Sequence, residues 1–190
     1  MLAAINRALE WVLEWVTILF MVSLTVVVIV AVLFRISGNS LSWYDEVASI
    51  QLAWITYYGA ALAALKRRHI GFDTVLLAIP AQFRTAVVLF AEAVVLAFFG
   101  LMAWAGMVVL EVLEGEYLVS LTSVPVQLTQ SVIPVGAGLF ILCQLLSLPG
   151  YLAKTRAGIS LEHAEIEEEV ETEMEKAQTH APDAFRRGEN

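Results

Sequence analysis

Four stretches of this chain carry too little charge, for too long, to form an ordinary soluble domain. Trp15–Phe34 runs for 20 residues without a charged side chain, and about 20 apolar residues let a helix cross the roughly 30 Å hydrocarbon layer of a bilayer. Val47–Leu65 adds 19 uncharged residues, and Thr85–Leu110 adds 26 interrupted only by Glu92. From Tyr117 to Ala153 there is no charge at all. That length exceeds one span, and Pro125 and Pro134 divide it into a short interfacial or re-entrant piece and a fourth span near Ser131–Leu152. The apolar fraction of 59%, against about 45–50% in soluble domains, agrees. The expected fold is an all-α membrane protein whose domain, residues 15–158, holds four spans at about 15–34, 46–66, 85–110 and 131–152.

A cleaved signal peptide does not fit, because its apolar region would be about 7–15 residues long and the first span lacks a small-residue cleavage site. The single cysteine, Cys143, excludes an intrachain disulfide and a cysteine cluster for a metal, and reads as a small packing residue. The net charge of −8 is uneven: Ser160–Asn190 holds ten acids and three bases, so that tail supplies −7. The rest is nearly neutral, and nothing points to nucleic acid.

Lysine and arginine favour the cytoplasmic side of a membrane. With the N-terminus inside, the inner segments hold Arg7, Lys66, Arg67, Arg68, Arg84, Lys154 and Arg156, whereas the outer loops hold only Arg35. Both termini are therefore expected in the cytoplasm. Ahead of the first span, Leu2, Ile5, Leu9, Val12 and Leu13 repeat at helical spacing, with Asn6, Arg7, Glu10 and Glu14 off that stripe. Residues 1–14 read as an amphipathic interfacial helix anchored by Trp11 and Trp15; the same stripe would also suit an extension of the first span in a longer, tilted helix. Residues 159–190 form a separate acidic cytoplasmic tail, too polar to bury a core of its own.

Catalytic chemistry finds no support. His69, His163 and His180 all lie outside the spans, which excludes bis-histidine haem within the bundle. No phosphate-binding loop, metal-ligand cluster or triad is present, so the chain is read as no enzyme and as holding no cofactor. Glu92 is the one ionisable residue inside a span. Burying it costs a few kcal/mol, which makes it either a functional carboxylate or a buried structural one. Gln51, Thr56 and Gln144 offer interhelical hydrogen bonds. Thr56, Ala60 and Ala64, and again Gly59 and Ala63, space small residues so that a helix can approach closely.

The second span carries the most ordered pattern. Ser42 with Asp45 suggests a capping box, Asp45 and Glu46 complement the helix N-terminus, and Lys66–His69 complement its C-terminus. Charge alone does not demand the rest: Trp43, Trp54, Gly59–Ala61, His69-Ile70-Gly71-Phe72-Asp73, then Pro80 and Arg84, and later Ile133-Pro134-Val135-Gly136. In this order, over about residues 1–155, the chain resembles the small membrane subunit of tripartite ATP-independent periplasmic (TRAP) transporters.

That resemblance implies a set of partners. A large membrane subunit would carry the substrate and sodium sites, and a periplasmic substrate-binding protein would deliver an organic acid of the C4-dicarboxylate or sugar-acid class. Transport would be secondary and ion-driven, across the bacterial inner membrane. The small subunit would brace the fixed scaffold through its N-terminal helix and second span. Lys66, Arg67, Arg68, His69, Asp73 and Arg84 would organise the connection between spans two and three, as an Arg–Asp or His–Asp pair, and meet membrane phospholipid headgroups. Two other readings stay open from the residues alone: a self-sufficient oligomeric carrier or channel using Glu92, and a membrane anchor that recruits a soluble complex through the tail.

Overall fold

A computed structural model describes residues 2–67 and 79–157, together with Val170 and Met174. Among the described residues five helices follow in order: α1 Leu2–Ile36, α2 Tyr44–Lys66, α3 Ala81–Val112, α4 Val126–Gln130 and α5 Val132–Ala157. Four segments are long and apolar enough to cross a membrane: Ile5–Ile36, Tyr44–Lys66, Phe83–Val112 and Val126–Ala153. The only β pairing among the described residues is one bridge between Tyr117 and Pro125. The backbone falls into two compact units, Met1–Ile70 with Leu89–Tyr151, and Gly71–Val88 with Leu152–Asn190. The core and the polar centre described below belong to the first.

The helices outrun the uncharged stretches that foretell them, because a helix continues until something stops it. Gly38 and Gly115, with φ of +83° and +87°, supply the left-handed turns that follow α1 and α3. Pro80 stands immediately before α3 and accepts the Phe83 N–H at 2.9 Å. Within α1 there is neither glycine nor proline. The helix therefore runs unbroken for 35 residues, about 52 Å at 1.5 Å per residue. The boundary expected between residues 14 and 15 has no counterpart in the backbone, and the N-terminal stripe continues straight into the first span.

That stripe also divides. Leu13 is buried, and Leu9 packs against the same cluster of Ala61, Ala64 and Leu65 from α2 and Phe140 and Cys143 from α5. Trp11 and Trp15 face outward, their rings 6.1 Å apart. Lys66 holds α1 from the end of α2, 3.0 Å from Glu10 and 3.9 Å from Glu14. These groups are partly exposed, so the pairing contributes no more than about 1 kcal/mol. Farther along, Gln51 Nε2 donates to Ser23 Oγ at 2.7 Å, and Phe20, Trp54 and Tyr58 stack with centroids 5.6 to 6.2 Å apart.

The close helix contacts are made at Gly136 and Gly106 and not at Gly59, where small-residue spacing predicts one. A Cβ on Gly136 would lie 2.5 Å from Tyr57 Cδ1 and 2.6 Å from its Cβ, and one on Gly106 would lie 2.9 Å from Ile133 and Pro134 side-chain atoms. Gly59 has open space where a Cβ would stand. Thus α5 approaches α2 and α3 through Gly136 and Gly106, while the buried small residues of α2 are Ala61 and Ala64. We expect Gly136→Ala to lower stability by about 1–3 kcal/mol, the cost of overpacking against a ring that cannot retreat. Gly59→Ala should be neutral or slightly stabilising because alanine is the better helix former. Thermal unfolding of the two variants in mild detergent compares them directly.

Candidate functional site

α2 ends by turning a long cation back toward its neighbours. Arg67 caps the helix at φ 53°, ψ 26°, in the left-handed region, with its N–H on the Ala64 carbonyl at 3.3 Å. A side chain other than glycine pays about 1–2 kcal/mol for that conformation, so the contacts it gains must exceed this. They do so on two helices. The guanidinium forms an ion pair with Glu92 of α3 through Nη1. Nη2 donates to the Gln144 carbonyl at 3.0 Å, and Nε donates to Ser147 Oγ at 2.8 Å. The guanidinium carbon lies 4.7 Å from the centre of the Tyr151 ring, within cation–π range.

Glu92 is answered from a second direction as well. Its other carboxylate oxygen accepts Gln144 Nε2 at 2.7 Å. Gln144, Ser147 and Tyr151 recur at helical spacing, so α5 presents three polar or aromatic groups to the pair along one face. The Arg67 and Glu92 side chains are 13% and 8% exposed, which places both charges out of solvent. Burial of two ions is tolerable only where their partners are complete, and here each charge has more than one. Chemically this is a neutral knot that ties α2, α3 and α5 together. Both Glu92 carboxylate oxygens are bonded there, one to Arg67 and the other to Gln144.

The opposite end of α2 holds a second polar contact. Trp43 is the N-cap and makes no side-chain capping bond, so the expected Ser42–Asp45 box does not form. The Ser42 carbonyl instead accepts Ser120 Oγ at 3.1 Å. Glu46 reaches the loop after α3, where its two carboxylate oxygens accept the N–H groups of Val119 and Ser120 at 3.0 and 2.9 Å. Two adjacent amides suit the two oxygens of one carboxylate, and bonds to an ionised acceptor are the stronger kind. Asp45 stays exposed, its carbonyl taken by Ser49 Oγ at 2.6 Å.

The remaining residues singled out from sequence are dispersed. Trp54 belongs to the aromatic stack, Gly59 faces open space, Lys66 pairs with Glu10 and Glu14, and Pro134 abuts Gly106. Arg84 Nε donates to the Ile79 carbonyl at 2.8 Å, beside Pro80. Arg68, His69 and Asp73, and with them the expected Arg–Asp or His–Asp pair, lie outside the described residues. Sequence reasoning took Gln144 for interhelical packing and missed Ser147 and Tyr151. The signal that could have found them is their spacing from Gln144 on an otherwise apolar helix. No group of His, Cys, Asp or Glu among the described residues could hold a metal ion.

Removing one member of the knot leaves the other charge buried without its countercharge. Arg67→Ala and Glu92→Ala should each destabilise the protein by about 3–5 kcal/mol. Arg67→Met combined with Glu92→Leu should recover most of that loss, since apolar replacement of a whole buried pair is often neutral. Unfolding in mild detergent as a double-mutant cycle measures the coupling, and additive losses would contradict a shared knot.

Comparison with curated proteins gives no significant match. The family model for the DctQ component of tripartite ATP-independent periplasmic transporters matches residues 24–150, which contain α2, the Arg67–Glu92 pair with Gln144 and Ser147, and the Glu46 contact. Those residues are well over half of the 190, and the chain belongs to this family of transporter components.

Proposed function

We propose that the chain is the scaffold subunit of a TRAP-type secondary transporter. It pairs with a large membrane subunit that carries the substrate and sodium sites, and works with a periplasmic substrate-binding protein. The transporter uses an ion gradient to take up organic acids of the C4-dicarboxylate or sugar-acid class. The chain lies in the bacterial inner membrane with both termini in the cytoplasm. Family membership supports the tripartite setting, and the seven-to-one distribution of basic residues supports the orientation.

The observation that carries the scaffold role is the state of Glu92. A carrier needs a group inside the membrane that is free to bind and release its ion. The one carboxylate inside the uncharged stretches, rather than near a helix end, is bonded to Arg67 and Gln144 instead, and its charge is cancelled in place. The self-sufficient carrier loses its reacting group, whereas a brace gains its tie. Exposed apolar side chains such as Phe90, Phe98, Leu101 and Trp104 along α3 leave surface for lipid and a larger partner. The segment from Lys66 to Asp73, with Arg84, organises the inner connection and meets phospholipid headgroups in this reading.

Mild-detergent purification of the tagged chain from native membranes should bring down a large polytopic protein in stoichiometric amount. Uptake by that complex in vesicles should require the ion gradient and should survive removal of residues 159–190. Recovery of the chain alone as a homo-oligomer that transports, and loses transport in Glu92→Gln, would overturn the proposal.

A further inference from the structure

A cleft of about 330 Å³ opens between the first turns of α2 and the segment that follows α3, inside the range of about 300–1,000 Å³ typical of small-molecule sites. Val47, Ile50 and Trp54 form one wall, and Leu118, Leu121 and Leu128 form the other. Two polar side chains also line it, and both are turned away. Thr129 Oγ1 donates to the Val126 carbonyl at 2.8 Å, and the Gln51 amide nitrogen donates to Ser23 on α1. The Gln51 oxygen is fully buried without a partner, so the cleft offers hydrocarbon to whatever enters it.

Its second wall is held in place. Leu118 N–H bonds to the Val124 carbonyl at 3.0 Å, Val126 N–H bonds to the Glu116 carbonyl at 2.9 Å, and the Glu46 carboxylate takes the Val119 and Ser120 amides. Glu46 is thus a positioning residue for the cleft. Val47 to Trp54 covers about 10 Å of helix rise at one end of a membrane-crossing helix, the depth at which acyl chains meet their headgroups. Asp45 and Glu116, exposed and next to the walls in sequence, are acidic, which opposes an anionic headgroup and suits one that carries an ammonium.

We propose that this cleft is a lipid site, holding an acyl chain of a zwitterionic phospholipid such as a phosphatidylethanolamine. It differs from general lipid contact along α1 and α3 because its walls are fixed on both sides of the chain.

The test uses the full chain in nanodiscs, with phosphatidylethanolamine bearing a photoreactive diazirine near the end of one acyl chain. Adducts are mapped by mass spectrometry, and a phosphatidylglycerol analogue is run in parallel. Labelling should concentrate on residues 47–54 and 118–129, and should be weaker with the glycerol headgroup. Filling the cleft by Ile50→Trp should reduce that labelling about tenfold while leaving the outward face of α1 labelled as before. Leu121→Trp, from the opposite wall, should do the same if the first variant folds poorly, and Glu46→Gln should weaken labelling with the wall residues unchanged. Equal labelling of the cleft and the α1 face, undiminished in the filled variants, would reduce the site to general lipid contact. Equal labelling by both headgroups would overturn the headgroup assignment. A cleft labelled in the isolated chain but shielded in a complex recovered from membranes would assign it to a partner's side chains instead.

Discussion

A carboxylate in a medium of low dielectric must find its countercharge locally, and the arrangement of this protein follows from how Glu92 finds one. The countercharge does not come from its own helix. It comes from the residue that ends α2, set in a left-handed conformation so that its guanidinium reaches α3 and α5. Because the guanidinium is planar and carries several donors, one side chain can hold a carboxylate, a carbonyl and a hydroxyl together. A lysine at this position would have offered charge without the fork. The helices can then keep apolar faces elsewhere, since the one demand that lipid cannot meet is already met.

Around that tie, packing decides how near the helices come. In lipid, apolar surface alone gives little reason for two helices to prefer each other over their solvent, so close backbone approach and polar contacts carry the association. Gly106 and Gly136 let α5 nest against α3 and α2, and the Phe99 and Phe140 rings stack at 3.7 Å in the same region. Glu46 and Arg67 close the two ends of α2 by the same device, a charged side chain spending its hydrogen bonds on a neighbouring segment. One end fixes a loop and the other fixes two helices.

The spans were legible because hydrophobicity is a local property that adds along the chain. Glu92 was legible for the same reason, as a charge where none belongs. Its partner was not, since Arg67 sits in a basic run whose sign has an adequate explanation in membrane topology, and nothing local distinguishes it from Lys66 or Arg68. Small residues recur on more than one face of α2, so the pattern could not say which would meet a neighbour; Gly59 did not, and Ala61 and Ala64 did. The Ser42–Asp45 pattern was sound as local chemistry, but the helix starts one residue later, with Trp43 as its N-cap, and the polar contact at this end comes from Glu46 with residues more than seventy positions away. The continuity of α1 was readable in the absence of glycine and proline, although its amphipathic start suggested a separate element.

The order in which the members of the knot occur along the chain has a consequence for biosynthesis. Arg67 is made first, Glu92 follows with the next helix, and Gln144, Ser147 and Tyr151 arrive only with the last. Until α5 is in place, the arginine at the end of α2 lacks its carbonyl and hydroxyl acceptors, and the glutamate lacks its amide donor. A chain that stalls or is cut before residue 144 therefore lacks those partners for both charges. The knot is complete only when the final helix is in place.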